Sequence, residues 1–135
     1  MQLKIIRFLP LAVLLLFLPG CKHQGHEEHA SAPLSLNNGQ KWKANAATTE
    51  GIHKMEALVS DCLEKGSGLP ELGDQLDNEF NSIIQQCTMT GEAHVQLHHF
   101  LLPLKEKINT LKENPDMNKA KEIQAYLRNY KNFFQ

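Results

Sequence analysis

The sequence predicts an all-α protein, an up-down-up-down four-helix bundle over residues 46–135. Three observations carry this reading. Apolar residues recur three and four apart through that region, short Gly- and Pro-centred breaks divide it, and no strand alternation or hairpin dipeptide lies between the periodic stretches. Helices joined by short connections become antiparallel neighbours, which makes the bundle the economical architecture.

The first helix is expected from Thr48. Ile52, Met55, Val59 and Cys62 share one stripe, and Leu58 and Leu63 widen it. Thr48 or Thr49 can cap its start, and Gly66 can end it. Gly66-Ser67-Gly68 turns the chain, Pro70 suits a first helical turn, and Leu72, Leu76, Phe80, Ile83, Ile84 and Cys87 form the second stripe. Thr90 is placed to cap a third helix carrying Leu97, Leu101, Leu104, Ile108 and Leu111 in steps of four and three. Pro103 lies inside it and deletes one backbone bond to residue 99, so a kink is expected near His99. Asn114-Pro115-Asp116 breaks the pattern, and Ala120, Ile123, Leu127, Tyr130 and Phe134 carry a fourth stripe to the C-terminus.

Ahead of the bundle, residues 1–20 have the parts of a secretory signal. Lys4 and Arg7 give positive charge, and Leu11 to Phe17 is an apolar run without a polar side chain. The run is too short for a spanning helix, which needs about twenty apolar residues. Leu18-Pro19-Gly20-Cys21 looks like a lipobox, the site after which lipoprotein signal peptidase cuts. The alternative is an ordinary signal peptide with an incidental cysteine. A lipobox implies that Cys21 carries acyl chains, several of which hold a protein firmly to a membrane. Lys22 follows the cysteine where an Asp would signal retention, so the resemblance to that sorting rule implies the outer membrane. Residues 21–45 are polar and without apolar periodicity, as expected of a flexible tether. Trp42 follows the turn signal Asn37-Asn38-Gly39 and is expected to lay its ring on the folded domain.

The chain has 14 basic and 15 acidic residues and a formal charge of −1. Loss of Lys4 and Arg7 with the signal would make it more acidic, which leaves no basic stripe for nucleic acid. No Ser/His/Asp order, nucleophile elbow or phosphate loop is present. Cys87 with His94 could form a thiolate pair, but two residues do not define a reaction, and a non-enzyme is expected.

Metal-type residues are concentrated in two places. His23, His26 and His29, with Glu27 and Glu28, form a loose collector in the tether, or else only a solvated polar stretch. The segment from Cys87 to His99 holds a thiol, a thioether and three imidazoles. His94 and His98 are four apart and share a helix face, as paired histidines in helical zinc sites do. Gly91 permits a reversal that would bring Cys87 and Met89 to them. His99 is expected to point away from that face, and Met55 and Cys62 read as core. Antiparallel packing should also bring His53, just past the start of the first helix, to the same end.

Cys62 belongs at the opposite end. A helix separates the two levels by roughly 25 Å at about 1.5 Å per residue, whereas disulfide Cα atoms approach within about 7 Å. A Cys62–Cys87 bridge is therefore disfavoured. Thiolate and thioether together favour copper, and zinc would use Cys87, His94, His98 and His53 without Met89. The expected ligand set is thus Cys87, Met89, His94, His98 and His53, with copper the first choice and zinc the alternative. Lack of metal altogether, with the bundle offering an interaction surface, is the rival reading. Absence of Cys-x-x-Cys-His excludes covalent haem, while non-covalent haem on Met89 or Met55 with a histidine survives as a minor option.

Taken together, Asn37-Asn38-Gly39 with Lys41-Trp42, and Cys87-x-Met89-x-Gly91-x-x-His94-x-x-Leu97-His98, resemble small lipoproteins of the Gram-negative envelope. The resemblance implies a membrane-anchored envelope protein with a helical domain and little more. The metal reading, apart from that resemblance, points to a metal-efflux system as partner, and the interaction reading to another envelope protein.

Overall fold

A computed structural model describes residues 33–135. The expected signal peptide (1–20), the lipidation site Cys21 and the tether histidines His23, His26 and His29 lie outside the described residues. The periodic stretches form α1 (Ala46–Lys65), α2 (Leu69–Gln86), α3 (Gly91–Glu113) and α4 (Met117–Arg128), followed by one further turn, α5 (Tyr130–Phe133). Contacts close a ring, from α1 to α2, α2 to α3, α3 to α4 and α4 back to α1. Short connections make successive helices antiparallel, so the ring is an up-down-up-down four-helix bundle. Among the described residues there is no strand, only isolated bridges between Asn37 and Gln40 and between Trp42 and Phe134. No described helix is long and apolar enough to cross a membrane.

The stripes meet as their spacing requires. Ile52, Met55 and Val59 of α1 meet Leu72, Leu76 and Ile83 of α2, Leu97, Leu101, Leu104, Ile108 and Leu111 of α3, and Ile123 and Leu127 of α4, all buried. Each such side chain contributes about 1.5–3 kcal/mol relative to exposure. At one end Phe100 stacks on Tyr126 with ring centroids 5.0 Å apart and meets Tyr130 edge-on at 5.5 Å. Two glycines set the closeness of the helices. A Cβ on Gly51 would collide with the Ile83 side chain, and one on Gly73 would lie 3.2 Å from the Lys112 Cα.

Helix ends match the turn chemistry in part. Gly66 closes α1 in the left-handed region at φ 63°, Pro70 sits in the first turn of α2, Thr90 is the N-cap residue of α3, and Asp116 caps α4 by accepting from the N–H groups of Asn118 and Lys119. α1 starts earlier than Thr48, with Asn45 as its N-cap residue. Thr48 is fully buried and donates to Asn45 Oδ1 at 2.6 Å. The Asn45 amide in turn donates to the Gln86 carbonyl at 3.1 Å, so one residue opens α1 and covers the end of α2.

α3 continues through Pro103. The Tyr126 hydroxyl donates to the Phe100 carbonyl at 2.9 Å, adding a donor next to the residue 99 carbonyl that proline leaves without one. The fourth stripe is not one helix to the end. At Asn129 the backbone N–H bonds the Tyr126 carbonyl three residues back, which tightens the turn and sends the tail towards residues 33–45.

Of the stretch 21–45, residues 33–45 are described, and they lie along the bundle. Trp42 N–H donates to the Phe133 carbonyl at 2.7 Å, Gln135 N–H donates to the Trp42 carbonyl and Ala44 N–H to the Gln135 carbonyl, each at 2.9 Å. The Trp42 ring packs against the core, and its Nε1 donates to the Ser35 carbonyl at 2.7 Å. Ser35 N–H then donates to Gln96 Oε1 at 2.8 Å. This strap ties the approach to the bundle both to the C-terminal tail and to α3.

Candidate metal-binding site

The end of α2 and the start of α3 carry the only chemistry that the bundle concentrates among its described residues. Cys87 is the C-cap residue of α2, in an extended conformation that turns its side chain out of the helix. Gly91 takes φ 62° as α3 begins, where an added Cβ would meet nothing, so conformation and not space asks for glycine. The reversal brings Cys87 Sγ to 3.7 Å from His94 Nδ1. One helical turn on, His98 Nε2 lies 3.0 Å from His94 Nε2, with the rings edge to face at 62° and their centroids 4.5 Å apart.

The three groups form a chain through the His94 ring. Two neutral imidazoles share one proton between the facing Nε2 atoms. If His94 donates it, His94 Nδ1 is a bare acceptor facing the Cys87 thiol; if His98 donates it, His94 carries its proton on Nδ1 and donates towards sulfur. Desolvation, then the neighbouring His94 and His99, push the His98 pKa below the ordinary histidine value. A neutral ring keeps its lone pair available to an ion.

The expected five-ligand set does not assemble. Among the described residues no three His, Cys, Asp or Glu side chains converge on one ion position. Cys87 addresses the edge of His94 opposite to the one facing His98, because Nδ1 and Nε2 diverge across the ring. It therefore holds the ring in orientation, the role usually played by a partner on the far nitrogen of a metal-bound histidine. His53 is exposed. It follows the buried Ile52 by one residue, a rotation of about 100° on the helix, which turns it away from the core. Met89 is half-buried and packs against the apolar cluster.

The end of the bundle does gather as expected in other respects. Thr49 of α1 and the Tyr130 hydroxyl lie 3.0 Å apart, and burial, with a contribution from Cys87, raises the Tyr130 pKa. Cys62 and Cys87 are both free thiols. Cys62 is 5% exposed, and burial followed by Asp61 and Glu71 pushes its pKa up.

Gln96 is a residue that periodicity did not single out. It is buried, accepts from Ser35 and donates to Glu92 Oε1 at 2.8 Å, so it fixes the strap to the buried side of α3, about half a turn along from His94 and from His98. Its spacing of four from Glu92 was the available signal. His99 leaves Nδ1 buried without a hydrogen-bond partner. The surface grooves between α1 and α2, lined by Lys54, Leu58 and Glu79, and between α3 and α4, lined by Lys107 and Glu122, contain none of the site residues. No protein-family model, curated protein or solved structure matches the chain. The fold therefore defines the class, a small helical bundle with a paired-histidine end, and function has to be argued from that end.

Proposed function

We propose that this chain is a lipid-anchored envelope protein that captures a transition metal, copper foremost, on the His94–His98 pair. The observation that carries the reading is the 3.0 Å separation of two Nε2 atoms on successive turns of one helix. With metal–nitrogen bonds of about 2.0–2.1 Å, adjacent nitrogens stand about 2.9 Å apart in a square plane and about 3.3 Å apart in a tetrahedron. The pair is within a few tenths of an ångström of both. Imidazole accepts Cu(I), Cu(II) and Zn(II), and copper binds a given nitrogen site more tightly than the other divalent first-row ions. Residues 1–20 act in this reading as the signal, acylated Cys21 as the anchor in the outer membrane, and His23, His26 and His29 as a weak collector. Transfer to a metal-efflux or other envelope partner follows as the use of such a site.

Apo protein mixed separately with Cu(I), Cu(II) and Zn(II), with bound ions counted by mass spectrometry, tests this. Copper is expected to stay on the natural chain and to be lost from the Cys87/His94/His98 triple-alanine variant beyond what the tether retains. Equal retention by both would defeat the proposal. A second reading, an interaction lipoprotein without metal, is favoured by the outward-facing Val95 and Leu102, 43% and 53% exposed. A stoichiometric partner recovered with chelator present would support it.

A further inference from the structure

The histidine pair offers an ion two nitrogens, and no third His, Cys, Asp or Glu side chain among the described residues converges on the same point. A tetrahedral or square-planar ion takes four donors. Water can fill the remainder, or a second identical pair can. The surroundings of the pair favour the second option. On α3, Val95, His98 and Leu102 are all exposed and stand at i, i+3 and i+7, the spacing of a coiled-coil seam turned outward. The inward stripe of the same helix is complete without them, with Leu97, Leu101, Leu104, Ile108 and Leu111 in the core. An isologous two-fold contact sets one such seam against its copy, so residue 98 of each chain falls near the axis with an apolar residue on either side.

We propose that two copies of this chain meet through the outer face of α3 and share one borderline divalent ion, Zn(II) or Cu(II), on four imidazoles, His94 and His98 from each. This rests on the reading of the pair as a metal site. Magnitude decides when the dimer forms. A stable protein interface buries about 800 Å² per partner, and a seam of two exposed apolar residues and one histidine supplies far less. The seam therefore selects the partner and its register, and the ion supplies the affinity. Without metal the chain is a monomer. The ion would also lock His98, whose ring reaches solvent, and leave Cys87 on the far edge of His94 to steady that ring.

The experiment is native mass spectrometry of the full chain in detergent, with His23, His26 and His29 changed to alanine so that the tether cannot contribute. Zn(II) and Cu(II) are added separately at half an equivalent, and chelator serves as the control. Expected are a monomer with chelator and a dimer carrying one ion per two chains with metal. His98→Ala, with its fold checked by circular dichroism, should abolish both dimer and ion binding. Leu102→Glu should weaken the dimer at least about tenfold while leaving each chain able to bind an ion. One ion per monomer, or a dimer that persists in chelator, overturns the shared site and leaves metal capture intact. No ion above the level of a His94/His98 double-alanine chain overturns both.

Discussion

Cys62 and Cys87 are the same residue type in two different surroundings, and the difference follows from place along α2 and α1. Cys62 lies within the apolar stripe of α1 and is buried next to the carboxylates of Asp61 and Glu71, which disfavour its thiolate. Cys87 stands at a helix end, half-exposed, with an imidazole nitrogen 3.7 Å away. Alkylation of the native, metal-free chain with iodoacetamide at pH 8, followed by peptide mass mapping, should modify Cys87 at least about tenfold faster than Cys62. Equal rates would mean that the core around Cys62 opens as readily as the bundle end. Residue spacing made the Cys87, His94 and His98 cluster legible, because one helical turn separates the histidines and a glycine turn returns the chain to the thiol. Which edge of His94 each neighbour takes was not legible, since ring orientation is set by packing around α3 and not by spacing. His53 was placed by its level along the bundle, whereas its rotation about α1 decides its exposure.

Helices were legible where an apolar stripe had to be buried, and their ends were less so where tertiary hydrogen bonds competed with local capping. Asn45 shows the competition, because it spends its amide on α2 and its carbonyl on the first turn of α1. The strap over residues 33–45 has no periodicity to betray it and is held by backbone pairing with the tail, which only the closed bundle creates. Between α2 and α3 ion pairs add to the buried apolar stripes. Asp77 takes both Lys105 and Lys112, and Lys112 also reaches Asp74 at 3.0 Å. The hydrogen bonds from Lys105 and Lys112 hold the Asp77 carboxyl below the ordinary carboxylate range. The unfolded chain therefore takes up the proton first as pH falls. The contribution is complete above the unfolded value of about 3.9 and disappears as pH drops through that value and then the lower folded one. Asp77→Asn should cost about 1 kcal/mol at pH 7, read by urea unfolding, and the gap from the natural chain should shrink progressively as pH falls below about 3.9. A gap that persists unchanged at pH 3 would assign the loss to packing instead.

At the scale of the molecule one end of the bundle carries a thiol, paired imidazoles and a phenol. The up-down-up-down order puts the start of α1, the end of α2, the start of α3 and the tail of the chain together, and the strap fastens the N-terminal approach to that same region. The central claim is that His94 and His98 act as one nitrogen clamp, with Cys87 behind His94 and His53 outside the site. Imidazole nitrogen NMR of the labelled chain, with tether histidines changed to alanine, tests it most directly on titration with Zn(II). The account predicts that the Nε2 signals of His94 and His98 move together, that His94 Nδ1 becomes the protonated nitrogen, and that His53 stays still. Movement of His53 in step with His94, or silence at His98, would contradict it.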